Sequence, residues 1–296
     1  MLIYDLNDGA VGKERSAVVL GNFDGVHSAH RELIRLAGMS SLPCAVFTFS
    51  GQRPPYITSE KEKLSLIGEC GADLVYLCDF QSVKDMSCER FFEEILIDGL
   101  NIGHAFCGYN YTFGKGASGN AGTLEALCRE HGIGCTVMPE KRVGDLPVSS
   151  SRIRSLLTEG DLECAGALLS HRFFIDGRVS HGRQIGSGLG FPTINIPYES
   201  GRVTLPRGVY YTLCRAGERT YPSITNVGVR PTFSLHELVS ETNLLDAGGD
   251  FYGADIRIEF IRFVRPEKKF STPIELSRAI KHDINGAKEF FKTFKE

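Results

Sequence analysis

Two histidines three residues apart, His27 and His30, stand between an apolar run and a helical pattern in VVLGNFDGVHSAHRELI. The start of a helix offers unpaired N–H groups and a partial positive charge, so it attracts phosphate. Imidazoles placed there can donate hydrogen bonds to a triphosphate and stabilise charge on an attacked phosphorus without forming a covalent bond. Gly21, Phe23, Asp24 and Gly25 complete the turn. No GxxxxGK[ST] loop occurs in the chain, and this stretch is not a GxGxxG fingerprint, so it is neither of the two common nucleotide loops. Zinc is the other chemistry that paired histidines suggest, but no further ligand pair lies nearby.

A second constellation lies in HGRQIGSGLGFPTINIP, His181–Pro197. Gly182, Gly186, Gly188 and Gly190 let backbone approach a ligand closely, while Pro192 and Pro197 argue against a helix. Thr193 and Asn195 are two apart in an extended segment and point the same way. A hydroxyl and an amide oxygen are hard donors suited to Mg²⁺, which bridges ATP phosphates. A kinase acting on a hydroxyl also needs an acceptor for its proton. Glu241, in the predicted strand SETNLLD with Asn243 on the same face, is the candidate. Two segments supplement the first constellation: GYNYTFGKGASGN, with Asn110 and Lys115, and VSSSRIR, where Ser149–Ser151 cap or bind phosphate and Arg154 can neutralise a leaving pyrophosphate.

The elements that must position these residues fall into two rhythms. SAVVL (Ser16–Leu20), PCAVFTF (Pro43–Phe49), LVYL (Leu74–Leu77), HAFCG and CTVM (Cys135–Met138) read as strands. Helical patterns separate them: one beginning at His30, one after a Ser59–Glu62 capping box, Glu89–Leu96 behind Ser87, and one from Thr123. Such alternation implies a parallel sheet with helices on both faces and a ligand beyond the carboxyl ends of the strands. Two short helices follow, Ser151–Leu157 and Asp161–Leu169. From Phe173 the pattern changes to strands and turns. In ADIRIEFIRFV the residues Ile256, Ile258 and Phe260 lie opposite Arg257, Glu259 and Ile261, the period of an antiparallel sheet or barrel. Thr272, Pro273 and Glu275 open a closing helix. The expected boundary is near residue 170, giving domains 1–169 and 170–296.

Taken in order, GNFDGVHSAH, GYNYTFG, SSSRIR, GRVSHG, GFPTIN, LPRGVYY, ITNVGVRPTF, ETNLLD, DFYG and RPEKKF resemble the bacterial bifunctional riboflavin kinase/FAD synthetase family over essentially the whole chain. The resemblance implies a Rossmann-like nucleotidyltransferase domain followed by a small antiparallel β-barrel closed by a helix. It implies phosphorylation of riboflavin to FMN in the second domain and adenylylation of FMN to FAD, with release of pyrophosphate, in the first. His27, His30, Asn110, Ser150, Ser151 and Arg154 carry over as ATP-binding or catalytic positions. Thr193 and Asn195 carry over as Mg–ATP ligands, Glu241 as the base, and Asn110, Arg265 and Phe270 as flavin contacts. ATP, riboflavin and FMN are the implied substrates, Mg²⁺ the metal, and FMN and FAD the products or bound ligands.

Three departures stand out. Ala29 occupies the Gly of the family's HxGH motif, FSGQRPPY lacks a Pro-His-Pro segment and offers Arg53 instead, and Asn243 stands where His is common. Rival readings are a nucleotidyltransferase with another acceptor, such as a cytidylyltransferase or a pantetheine-phosphate adenylyltransferase, a riboflavin kinase alone, and a flavin-binding protein without catalysis. The GFPTIN half argues against the first.

Bulk properties agree with a small-molecule enzyme. The chain has 296 residues and a formal net charge of −3, which gives no footprint for nucleic acid and requires a local positive pocket or a metal for an anionic ligand. Nine cysteines without a CxxC pair read as free, mostly buried thiols of a reducing compartment. MLIYDLNDGAVGKER is not a signal peptide, and no apolar run approaches the ~18 residues of a membrane span. A cytoplasmic monomer or weak homo-oligomer is expected. Ser234–Val239 is a candidate lid.

Overall fold

A computed structural model describes residues 1–9, 14–180, 191, 193–231, 236–247 and 251–294. Gly182, Gly186, Gly188 and Gly190 of the glycine loop, and the beginning of the candidate lid at Ser234, lie outside the described residues. The chain forms two compact units, Met1–Arg152 and Ile153–Glu296. Their junction falls inside a helix, upstream of residue 170.

The first unit is a parallel sheet interleaved with helices. In chain order these are β1 (Leu2–Asp5), β2 (Ser16–Leu20), α1 (Ser28–Gly38), β3 (Cys44–Ser50), α2 (Glu60–Glu69), β4 (Leu74–Asp79), α3 (Cys88–Arg90, continuing as the π-helical Phe91–Gly99), β5 (Ile102–Gly108), α4 (Ala121–Glu130) and β6 (Gly134–Met138). The strand order is β1–β4–β3–β2–β5–β6, with every pair parallel. β2 is buried along its length, as a central parallel strand must be, which is why its sequence is apolar without alternation. Phe47, Tyr76, Phe91, Phe92 and Leu124 centre one core cluster, and α1 packs on β2, β3 and β5. From β2 the chain winds outward through β3 to β4 and then returns to β2's other side as β5. The switch point is therefore between β2 and β5, where a crevice opens beyond the strand ends.

Helix starts follow local chemistry. Ser59 and Glu62 form the expected capping box of α2. Asn120 caps α4 at Ala121, two residues before the start expected from the sequence. α1 begins at Ser28 rather than His30, because His27 itself is the N-cap. The π-helical run replaces the regular helix expected over Glu89–Leu96.

α5 (Ser150–Glu159) runs across the junction, and α6 (Leu162–Leu169), capped by Asp161, follows it in the second unit. The strands are β7 (Phe174–Arg178), β8 (Ile194–Pro197), β9 (Gly208–Ala216), β10 (Arg219–Pro231), β11 (His236–Leu244) and β12 (Asp255–Pro266), followed by α7 (Pro273–Thr293). The antiparallel order is β7–β12–β9–β10–β11–β8. Ser180 N–H donates to the Asn195 carbonyl at 3.0 Å, bringing the two edge strands together into a nearly closed barrel. Inside it, Thr212 pairs with Ser223 and Thr225, and Thr225 with Thr242, each at 2.8 Å. These buried hydroxyls satisfy one another. The outer face of β9 and β10 packs on α7 through Val209, Tyr211, Ile224 and Ala287. Gly286 lies within that helix because a Cβ there would stand 2.6 Å from the Tyr211 hydroxyl.

All nine cysteines are free thiols. No helix among the described residues is long and apolar enough to cross a membrane.

Candidate active sites

The first unit carries a cavity of about 590 Å³ at the switch point. Four strand ends contribute: Leu20–Asn22 after β2, Phe47 and Phe49 of β3, Gly108–Gly114 after β5, and Met138–Pro139 after β6. His27, Ala29 and His30 at the start of α1 and Ser149–Ser151 at the start of α5 close it. Among the described residues three cationic side chains, Arg53, Lys84 and Lys141, line the walls, and no carboxylate does. This is the local positive pocket that a net-negative chain needs for an anion.

The two histidines form one unit. Their rings stack at 3.6 Å with an interplanar angle of 12°, and Phe23 backs His30 at 4.6 Å. His27 Nδ1 accepts the His30 N–H at 3.4 Å, which caps the helix and puts His27's proton on Nε2. His30 Nδ1 is buried without a hydrogen-bond partner among the described residues. Burial, then His27, then Lys63 hold the His30 pKa well below that of an ordinary histidine, so the imidazole is neutral.

The turn ahead of α1 is backbone-strained, with φ +56° at Phe23, +80° at Gly25 and +39° at Val26. Asp24 holds it: its carboxylate accepts the N–H groups of Ile57 at 2.8 Å and Thr58 at 3.3 Å, and Thr58 Oγ1 accepts from Gly25 N–H at 3.1 Å. Phe23, Asp24 and Gly25 thus shape the loop from beneath, whereas Gly21 faces the cavity. Ser150 Oγ donates to the Asp24 carbonyl at 2.8 Å, and Ser149 caps α5 by accepting Arg152 N–H at 3.2 Å. Ser150 and Ser151 line the cavity. Arg154, four residues after Ser150 on α5, is half-buried and is not a lining residue.

Asn110 is exposed at the rim, and Tyr111 and Phe113 behind it stack at 5.7 Å. Arg53 lies 3.9 Å above the ring of Phe80. Lys141 Nζ donates to the Ser28 carbonyl at 3.2 Å, tying the cavity wall to α1. Lys84 and Lys141 were not singled out in the sequence, because an isolated lysine carries no pattern. Their positions after strand-end turns are the one available cue.

The second unit carries a separate cavity of about 370 Å³ between the outer face of its sheet and α7. Thr193, Asn226, Glu241, Asn243, Arg265 and Phe270 line it. Strand register explains the cluster. Glu241 of β11 lies opposite Asn195 on β8 and Asn226 on β10, so all three share a face. Asn195 is buried. Arg265 is engaged by Asp283 of α7 through contacts as short as 2.6 Å, which locks the helix over the cavity. Asn226 belongs to the ITNVGVRPTF motif but carries no role legible there, and Asp283 belongs to no motif.

Comparison with known proteins agrees with both halves. The FAD synthetase family model matches residues 11–152 and the riboflavin kinase model residues 169–291. The bifunctional riboflavin kinase/FMN adenylyltransferase of Bacillus subtilis is 32% identical over 300 residues, covering 95% of this chain and 94% of that protein. The Escherichia coli K12 protein of the same description is 32% identical over 296 residues, covering 94% of each. A crystal structure described as a macrolide-efflux protein from Streptococcus pneumoniae covers 100% of both chains with a TM-score of 0.86 and 25% identity. Two nucleotide-sized cavities on two units, each matched by its own family model in the same order, leave one assignment: the chain belongs to the bifunctional riboflavin kinase/FMN adenylyltransferase family.

Proposed function

We propose that each cavity performs one of the family's two reactions, with residues 1–169 as the adenylyltransferase domain and 170–296 as the kinase domain. The observation that carries this reading is the contrast in lining among the described residues: three cations and no carboxylate in the first cavity, the Glu241 carboxylate on the face of Asn195 and Asn226 in the second. In the first, an oxygen of the FMN phosphate attacks the α-phosphorus of ATP and pyrophosphate leaves. No protein nucleophile is needed. The stacked histidines, the α1 N-terminus and Lys141 hold the triphosphate in line and stabilise the charge that builds up. Asn110 and the Tyr111–Phe113 wall hold the flavin, Arg53 takes the place of the missing histidine segment, and Arg154 meets the pyrophosphate.

In the second cavity Glu241 accepts the proton of the riboflavin 5′-hydroxyl as its oxygen attacks the γ-phosphorus and ADP leaves. Thr193 and Asn195 supply two hard oxygens on the side of Glu241. That donor set fits Mg²⁺, which takes few protein ligands and completes its shell from phosphates and water. Held by Thr193 and Asn195, such an ion would supply positive charge to the transferring phosphates. Arg265 and Phe270 line the flavin side, and the glycines of residues 182–190 are assigned to the ATP phosphates on their sequence alone. We further propose a cytoplasmic enzyme, monomeric or weakly self-associating, that acts on riboflavin, FMN and ATP.

The direct test is the flavin profile after incubation with riboflavin, ATP and Mg²⁺. FMN followed by FAD is expected. FMN alone would confine catalysis to the second unit, and neither product would leave a flavin-binding protein.

Ala29 is a second check. Its methyl lies in the first turn of α1 and faces the cavity. Ala29→Gly should keep or raise FAD formation while lowering stability by up to ~1 kcal/mol, the ordinary cost of glycine in a helix. A clear fall in adenylylation at an unchanged melting temperature would show that the methyl contacts substrate.

A further inference from the structure

Lys63 is the outstanding feature of the first unit that the reaction as described leaves unused. It is a lysine with no exposed surface, in the first turns of α2. Lysine is almost never fully buried without a reason. Its ammonium donates to the Phe49 carbonyl at 2.7 Å and to Thr48 Oγ1 at 3.4 Å, both at the end of β3. Thr48 Oγ1 in turn donates to the Asn22 carbonyl at 3.0 Å. Asn22 and Phe49 line the cavity. The donors therefore run in one direction, from a buried cation through a hydroxyl to the loop that carries the phosphate-facing residues. A charged donor at the head of such a chain strengthens each bond after it.

We propose that Lys63 is a positioning residue for FMN adenylylation: from beneath the cavity its donor chain through Thr48 fixes the Asn22 loop beside the stacked imidazoles. This rests on assigning adenylylation to the first cavity. The groups facing Lys63 define its balance. Glu60 on its own helix and Asp24 on the loop favour its charge, whereas burial opposes it more strongly and brings its pKa down to about 8. Across the loop it acts on His30, as does His27. A full charge on His30 would weaken its 3.6 Å stack with His27, and a buried ammonium nearby disfavours that charge. Phosphates entering the cavity favour the ammonium, so ligand binding and Lys63 charge reinforce each other.

The linkage has a definite sign. The Lys63 pKa is lowered, so its cation is present below about pH 8 and lost above it. Wild-type adenylylation should therefore show an alkaline fall in kcat/KM near pH 8 that riboflavin phosphorylation in the same preparation does not.

The test is Lys63→Met, which keeps length and apolar bulk and removes the charge, measured beside Thr48→Val, which cuts the chain without removing a charge. FAD formation from supplied FMN should fall roughly tenfold in Lys63→Met, less than the ~10²–10³ for loss of a direct transition-state donor. The alkaline limb should disappear, and the His30 imidazole titration, followed by NMR, should move up. Thr48→Val should lower FAD formation several-fold while keeping the limb. Riboflavin phosphorylation should stay within about twofold in both, and an unchanged thermal unfolding profile reports that the first unit is folded. Lys63→Met with the wild-type rate and limb would overturn the inference. So would a loss of FAD formation in both variants with the His30 titration and limb unmoved, which is what a purely structural lysine would give. If His30→Ala left FAD formation intact, the site assignment would fail instead, independently of Lys63.

Discussion

Replacing Glu241 by Ala is expected to reduce FMN formation from riboflavin by about 10²–10⁴-fold, the usual worth of a positioned proton acceptor, while FAD formation from supplied FMN stays within about twofold. The argument starts from register. Glu241 lies opposite Asn195 on one neighbouring strand and Asn226 on the other. Its carboxylate therefore shares a face with two amides, one of them proposed to hold Mg–ATP. The same face opens to the cavity under α7. A hydroxyl bound there has a proton acceptor on one side and the phosphate on the other, the arrangement that in-line transfer requires. Glu241→Gln keeps shape and hydrogen bonding but not basicity, so it should lose nearly as much turnover with little change in KM. Separated flavins read by fluorescence give both rates. Equal loss of both activities would mean that the substitution unfolds the chain or that the two reactions share a site.

The sequence disclosed the fold wherever burial writes a simple pattern. Parallel strands buried on both faces give apolar runs, and Ser16–Leu20 is such a run. Antiparallel strands alternate, and Ile256, Ile258 and Phe260 are buried as their spacing predicts. Capping chemistry is local, so Ser59–Glu62 and Thr272–Glu275 were legible. The π-helical Phe91–Gly99 was not, because the same apolar spacing serves an α-helix. Nor were the register shifts between β9 and β12, which depend on the partner strand.

The sites divide similarly. Residues that recur in a motif, such as His27, His30, Thr193 and Glu241, could be named from the sequence, and the structure brings each to a cavity. Asp24 belongs to the motif, yet its carboxylate turns away to the amides of Ile57 and Thr58, a role only the third dimension reveals. Lys63 left a faint trace. It is three and four residues before Leu66 and Ile67, on the helix face that is buried, while Lys61 is exposed. A lysine on an apolar face is easily dismissed as a snorkelling side chain.

Replacing His30 by Ala is expected to have the converse effect: FAD formation falls about 10²–10³-fold, comparable to losing one preorganised donor, and riboflavin phosphorylation is unaffected. His30 is kept neutral by burial and by its neighbours His27 and Lys63. A neutral imidazole has one N–H to donate and gives up none of its hydrogen bonding to a counter-ion. Its Nδ1 has no hydrogen-bond partner among the described residues, so a substrate atom is the natural complement. His27 needs a different substitution, because it also caps α1. His27→Ala would remove the cap, at about 0.5–2 kcal/mol, along with the imidazole, whereas His27→Asn keeps a cap and isolates the imidazole's contribution. If the pair acts as one stacked unit, the double variant His27→Asn/His30→Ala should lose little more than His30→Ala alone, since either change already breaks the stack. Losses that simply add would instead describe two independent phosphate contacts that happen to lie face to face.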